Sequence, residues 1–135
     1  MYLFVYGTLR FSESLIKQGE LMNEFVFVGK GKMRAVIYDI GNYPGAAEDN
    51  SGNEVVGELF RMKNEKSALD RLDQYENYDT LNEKSGEYIR RKTSIRMNDG
   101  RSLIAWVYWY NGDLHSKKRI LENDYLKYLA IKQPD

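Results

Sequence analysis

Residues Ser102 to Tyr110 carry apolar side chains on both faces of one strand. Leu103, Ala105, Val107 and Trp109 alternate with Ile104, Trp106, Tyr108 and Tyr110. Successive side chains of a strand point to opposite faces, so this strand is apolar on both faces. It has to be central, with one face on a core and the other under a helix or inside a barrel. Asn98-Asp99-Gly100 just before it is a strong hairpin signal. Tyr88 to Met97 is then the outgoing strand. Ile89, Thr93, Ile95 and Met97 share one parity there, and Arg90, Lys92, Ser94 and Arg96 share the other.

Tyr2 to Tyr6 is a buried strand that runs without a linker into Gly7-Thr8-Leu9-Arg10. Ser12 to Met22 predicts a short helix, capped by Ser12 or Ser14 and weakened by Gly19. Phe25 to Val28 and Met33 to Ile40 predict two strands, broken by a tight turn or bulge at Gly29 and Gly31. Gly41-Asn42-Tyr43-Pro44-Gly45 and Asp49 to Asn53 are turn chemistry. Val55 to Met62 is a strand, with Gly57 marking a bulge. Asn64 caps a helix over about Glu65 to Tyr75. Asp79 to Gly86 is polar and reads as a mobile loop. A last helix is expected from about Leu121 to Ile131. Strands outnumber helices. At 135 residues the expectation is one domain, 1–135, of the α+β class, built on a curved or barrel-like mixed sheet.

Composition removes several function classes. Twenty Lys and Arg balance twenty Asp and Glu, and the signs are interleaved. A nucleic-acid surface needs a basic excess on one face, so no nucleic-acid partner is expected. The chain has no Cys, which excludes disulfides, thiolate nucleophiles and Cys-based metal sites. It has one His, His115, in a polar run. That excludes a His-rich zinc site and leaves a triad role unsupported. Gly29-Lys30-Gly31-Lys32 lacks the continuation of a phosphate loop. No cofactor is expected. No apolar run approaches the ~18 residues of a membrane span, and no charged n-region precedes an apolar stretch. The expected location is therefore the cytoplasm, without membrane attachment.

Two segments carry candidate chemistry. A strand that stops at Gly7-Thr8-Leu9 builds a loop with free backbone N–H groups and little bulk. Such a loop can hold a carboxylate or an oxyanion. On the helix from Glu65, Leu69, Leu72 and Glu76 lie at i, i+3 and i+7 and share a face. The apolar stripe ends in a carboxylate, at the helix end where the dipole is negative. Burial and the dipole should both raise the pKa of Glu76, which suits a group that takes and returns a proton. The alternative for Glu76 is a solvated residue at a fraying end. For Gly7 to Arg10 and Gly41 to Gly45 it is ordinary turns, and for the tyrosines it is packing. Asp73 reads as structural, bonded to local backbone.

In order along the chain, Val5-Tyr6-Gly7-Thr8-Leu9-Arg10, Tyr43-Pro44-Gly45, Val56-Gly57-Glu58-Leu59, Leu72-Asp73-Gln74-Tyr75-Glu76, Gly86-Glu87-Tyr88-Ile89-Arg90 and the aromatic strand Ala105 to Tyr110 resemble the gamma-glutamyl cyclotransferase-like family. The resemblance is nearest to its gamma-glutamylamine cyclotransferase branch. Ile120 to Tyr125 is similar to the family's closing motif, with Asn123 where a Gly is common. The stretch Asn77 to Glu87 is longer than in compact members. The resemblance implies a small mixed β-barrel with flanking helices and a small-molecule gamma-glutamyl substrate. It implies release of 5-oxoproline and a free amine with no metal or organic cofactor. Glu76 would be the general acid/base. Tyr6, Gly7, Thr8, Leu9, Tyr43 and Tyr88 would contact substrate, and the Asn77 to Glu87 loop would lie beside the site. The competing expectation is a non-catalytic module that binds a glutamyl-like ligand or a protein partner. The leaving amine and the oligomeric state have no sequence signal.

Overall fold

The computed structural model describes residues 1–7, 25–41, 43–75 and 86–132. Its strands are β1 (Tyr2–Val5), β2 (Phe25–Asp39), β3 (Pro44–Glu48), β4 (Glu54–Met62), β5 (Tyr88–Met97), β6 (Ser102–Tyr110) and β7 (Lys118–Ile120). Its helices are α1 (Glu65–Tyr75) and α2 (Tyr125–Ile131). The helix expected over Ser12 to Met22 lies outside the described residues, as does most of the loop Asp79 to Gly86.

Five strands close into a mixed barrel. β1 pairs antiparallel with β4, from Tyr2↔Arg61 to Val5↔Glu58, and parallel with β6 through Tyr2↔Ala105 and Leu3↔Trp106. β6 pairs with β5 along the predicted hairpin, from Tyr88↔Tyr110 to Arg96↔Ser102. β5 reaches β2 at Gly31↔Met97, and β2 returns to β4. The second half of β2 carries the two extra strands, β3 and β7. The expected barrel with flanking helices is therefore the architecture found.

The expected break at Gly29 and Gly31 is not a break. β2 is one strand of 15 residues, and its pairing with β4 shifts by one residue between Phe27 and Gly29. A bulge bends a strand and strengthens its twist without ending it. That lets one long strand serve both the barrel and the two extra strands. The bulge expected at Gly57 is also corrected, since Gly57 pairs regularly with Gly31. It is glycine for space: a Cβ there would stand 2.4 Å from the Val5 carbonyl oxygen and 2.5 Å from Phe4 Cζ.

β3 and β7 were not expected from the sequence. The Pro-Gly-Ala-Ala-Glu of β3 has little intrinsic strand preference, and it becomes a strand by pairing with β2 from Ala35↔Glu48 to Asp39↔Pro44. The last helix starts at Tyr125 rather than Leu121, because Asp124 caps it by accepting from the backbone N–H groups of Leu126 and Lys127. Leu121 stays outside, 87% exposed.

The two faces of β6 feed two apolar layers. Ala105, Val107 and Trp109 point into the barrel with Phe4, Met33 and Leu59. Tyr108 faces outward with Leu3, Phe60 and the α1 residues Ala68, Leu69 and Leu72, and Trp106 and Tyr110 pack against that outer layer. Asn64 Oδ1 accepts from Ser67 N–H at 3.1 Å and so starts α1 as expected. The helix then lays its apolar stripe on the outside of the barrel.

Candidate active site

Two segments that the chain keeps far apart meet at Pro44. β1 ends at Val5, and Gly7 then rests on the proline ring, where a Cβ on Gly7 would lie 2.9 Å from Pro44 Cγ. The tight passage requires glycine. The proline is held by the β2–β3 hairpin. Ile40 N–H bonds the Tyr43 carbonyl at 3.1 Å, and Gly41 takes a φ of +134°, a region that favours glycine. From the other side the buried Tyr88 donates its hydroxyl to the Pro44 carbonyl at 2.6 Å.

The tyrosines around this point form a wall. Tyr43 and Tyr88 have ring centroids 6.2 Å apart, and Tyr88 and Tyr110 meet edge to face at 5.7 Å. Tyr43 also donates its hydroxyl to the Glu87 carboxylate. The backbone around Glu87 is tied down by Asn111, whose N–H bonds the Glu87 carbonyl at 2.8 Å and whose Nδ2 bonds the Gly86 carbonyl at 2.9 Å. Tyr6 is buried. Its hydroxyl donates to the Tyr108 carbonyl at 2.6 Å and accepts from Ala46 N–H at 3.2 Å, which ties the end of β1 to β3 and β6.

The last turn of α1 is anchored by charge. Asp73 is buried and accepts from Arg90 twice, Nε at 2.9 Å and Nη2 at 3.0 Å. It also accepts from the Tyr108 hydroxyl at 2.5 Å. The expectation that Asp73 bonds local backbone is thereby corrected: its partners are 17 and 35 residues away. A cation at the C-terminal end of a helix also complements the dipole there. The Arg90 guanidinium lies over the Trp106 ring at 4.6 Å, and Trp106 Nε1 donates to Glu65 at 2.9 Å. Arg90 shares the polar parity of its strand, but it pairs with Tyr108 across the hairpin. Running that register back from Asn98-Asp99-Gly100 puts it under α1, a signal that the parity alone misses.

Tyr108 joins the two parts. Its carbonyl receives the Tyr6 hydroxyl, and its own hydroxyl goes to Asp73. The structure thus gathers Gly7, Tyr43 and Tyr88 around Pro44, ties Tyr6 to Ala46 and Tyr108, and links this end of β1 through Tyr108 to the end of α1. Thr8, Leu9 and Glu76 lie outside the described residues.

Comparison with known proteins decides the family. The sequence pattern of the family described as "Gamma-glutamyl cyclotransferase, AIG2-like" matches residues 3–127. The chain belongs to this family. It is 29% identical over 111 residues to a protein of Methanocaldococcus jannaschii named "Putative gamma-glutamylcyclotransferase", covering 81% of this chain and 83% of that one. Its fold is similar to that of protein ytfP from Escherichia coli, with a TM-score of 0.65, 30% identity and coverage of 95% and 98%. It also shares the fold of a structure described as gamma-glutamyl cyclotransferase, with a TM-score of 0.68 at 16% identity, covering 100% of this chain and 89% of that one. No helix among the described residues is long and apolar enough to cross a membrane.

Proposed function

We propose that this family member is a gamma-glutamylamine-type cyclotransferase, with Glu76 as its general acid/base. The substrate is a gamma-glutamyl amine or amide. Its own α-amino nitrogen attacks its γ-carbonyl carbon and forms the ring bond of 5-oxoproline. The bond from that carbon to the leaving nitrogen breaks. Glu76 takes a proton from the attacking amine and returns one to the leaving nitrogen, so no proton is gained or lost overall. A free α-amino group titrates near ~7.7–8.0, so a moderately raised carboxylate is matched to the task.

The attack is intramolecular, so orientation is the main work of the protein. Holding the glutamyl chain near its ring conformer can supply several kcal/mol, with about 7–11 as a ceiling. In this reading the developing oxyanion takes hydrogen bonds from backbone N–H groups of the Gly7-Thr8-Leu9 segment, and one such donor is worth about 2.7–4 kcal/mol. Tyr6, Tyr43 and Tyr88 line the substrate's side of the hairpin.

The observation that carries this reading is the convergence on Tyr108. One of its bonds comes from Tyr6, which precedes the Gly7 loop, and the other goes to Asp73, three residues before Glu76. α1 lays Leu69 and Leu72 against the barrel, and in the sequence Glu76 comes four residues after Leu72. The test is Glu76→Gln, which keeps size and removes the base. Wild-type protein should release amine and 5-oxoproline from a panel of gamma-glutamyl amides, and the variant should lose this by 100-fold or more, about 10²–10⁴ being usual for a positioned acid/base. Equal turnover by both proteins overturns the assignment of Glu76. Binding of 5-oxoproline with no turnover by the wild type, seen as a thermal shift, overturns catalysis and leaves a binding module.

A further inference from the structure

We infer that Glu87 and Tyr43 select the leaving amine, and that they favour an amine bearing a positive charge remote from the scissile nitrogen. The inference rests on the proposed function and deepens it by naming the class of leaving group. Tyr43 directly precedes the proline on which Gly7 rests, so Tyr43 and Glu87 stand beside the Gly7 turn, where the proposed function puts the γ-carbonyl and its bond to the leaving nitrogen. Tyr43 is 37% exposed, which leaves this end of the aromatic wall open to an incoming molecule.

The chemistry of the pair points to a cation. Glu87 is only half exposed, and its carboxylate accepts one hydroxyl bond, from Tyr43. Among the described residues no Lys or Arg is paired with it, whereas Asp73, Glu54 and Asp39 each hold a cation. An ionised carboxylate has about four acceptor positions, and the described residues fill one of them. Beside it stand Tyr43, Tyr88 and Tyr110, in contact one with the next. Ring faces attract cations, and a desolvated ammonium or guanidinium gains most. A carboxylate at the end of a row of tyrosine rings therefore offers an ammonium both hydrogen-bond acceptors and π-faces. It offers a neutral alkyl amine only the rings, and it repels a carboxylate. The backbone of the pair is also fixed in advance, by the Asn111 bonds to residues 86 and 87 and by the Tyr88 bond to Pro44. Preorganised contacts of this kind lower the cost of ordering on binding.

The test compares two synthetic substrates of equal length, gamma-glutamyl-1,4-diaminobutane and gamma-glutamyl-pentylamine, with wild-type protein and Glu87→Gln. The amide of glutamine keeps an acceptor for the Tyr43 hydroxyl and removes the charge. The wild type should favour the charged amide about tenfold in kcat/KM, through KM rather than kcat, a preference that corresponds to about 1.4 kcal/mol. In Glu87→Gln the ratio should fall close to one, and added salt should shrink it in the wild type. Turnover of both amides with a ratio near one in the wild type, or an unchanged ratio in the variant, overturns this inference and leaves the proposed function standing. No 5-oxoproline from either amide overturns both.

Discussion

Replacing Asp73 should be the most damaging single change outside the two apolar layers. Its side chain is 10% exposed and that of Arg90 is 15% exposed. Three hydrogen bonds converge on the carboxylate, two from the guanidinium and one from a buried phenol. Asp73→Asn keeps the volume but takes away the charge and leaves Arg90 facing a neutral amide in a poorly solvated place. Removing one member of a buried pair costs about 3–5 kcal/mol. The lower end applies here, because Arg90 also lies over Trp106 and the asparagine oxygen still accepts one bond. For 135 residues the unfolding entropy is about 0.28 kcal/mol/K near 60 °C, so a loss of about 3 kcal/mol lowers Tm by about 10 °C. Urea unfolding should show a lower midpoint with an unchanged slope. The double variant Asp73→Asn/Arg90→Met should lose about 2 kcal/mol less than the two singles added together, because both singles break the same pair. Costs that add to within about 0.5 kcal/mol, or a single-variant loss below about 1 kcal/mol, would show that the pair does not anchor α1.

Two further perturbations test the frame around the site. Gly57→Ala sets a methyl against the Val5 carbonyl and the Phe4 ring, and backbone cannot step aside cheaply. It should cost about 1–3 kcal/mol, read as a drop in Tm, and an unchanged Tm refutes the packing argument. Asp39 holds α2 to the β2–β3 hairpin by accepting from Tyr128 at 2.7 Å, from Gly41 N–H at 2.9 Å and from Lys132 at 2.9 Å. Burial alone pushes its pKa up, but the bonds from Lys132, Tyr128 and Gly41 outweigh this and hold it below the ordinary value of 3.8. A depressed carboxylate contributes stability that is complete above its unfolded pKa and fades as pH falls through the folded one. The Tm gap between wild type and Asp39→Asn should therefore be flat from pH 5 to 7, roughly, and close below about pH 4. A gap that persists at low pH means that the ionised form is not what matters.

Much of the frame was legible because it follows local rules. Glu65 to Tyr75 has a cap and a helical stripe, and the β5–β6 hairpin has a turn that admits one register, so these elements appear with the expected bounds. The two apolar faces of β6 required a barrel interior on one side and a helix on the other, and both are there, except that Ile104 near the start of the strand lies outside both layers and is 54% exposed. What stayed hidden depends on distant partners. Pro44 to Glu48 is a strand only because β2 lies alongside, and β7 is three residues with one buried, Ile120. Asp73 looked local because its neighbours in sequence offer backbone donors, yet a guanidinium and a phenol from another hairpin reach it first. For the site, the motif residues Gly7, Tyr43 and Tyr88 were recognisable one by one. Their meeting at Pro44 was not, since no pattern in either segment refers to the other.

The most direct measurement follows the oxygen atoms of the product. Wild-type protein should be incubated with a gamma-glutamyl amine in water enriched in heavy oxygen, and the products weighed by mass spectrometry. Ring closure by the substrate's own amine predicts 5-oxoproline without heavy oxygen and one free amine for each ring formed. Glutamate carrying a heavy oxygen atom would mean that water, not the α-amino group, attacks the carbonyl, and would contradict the account.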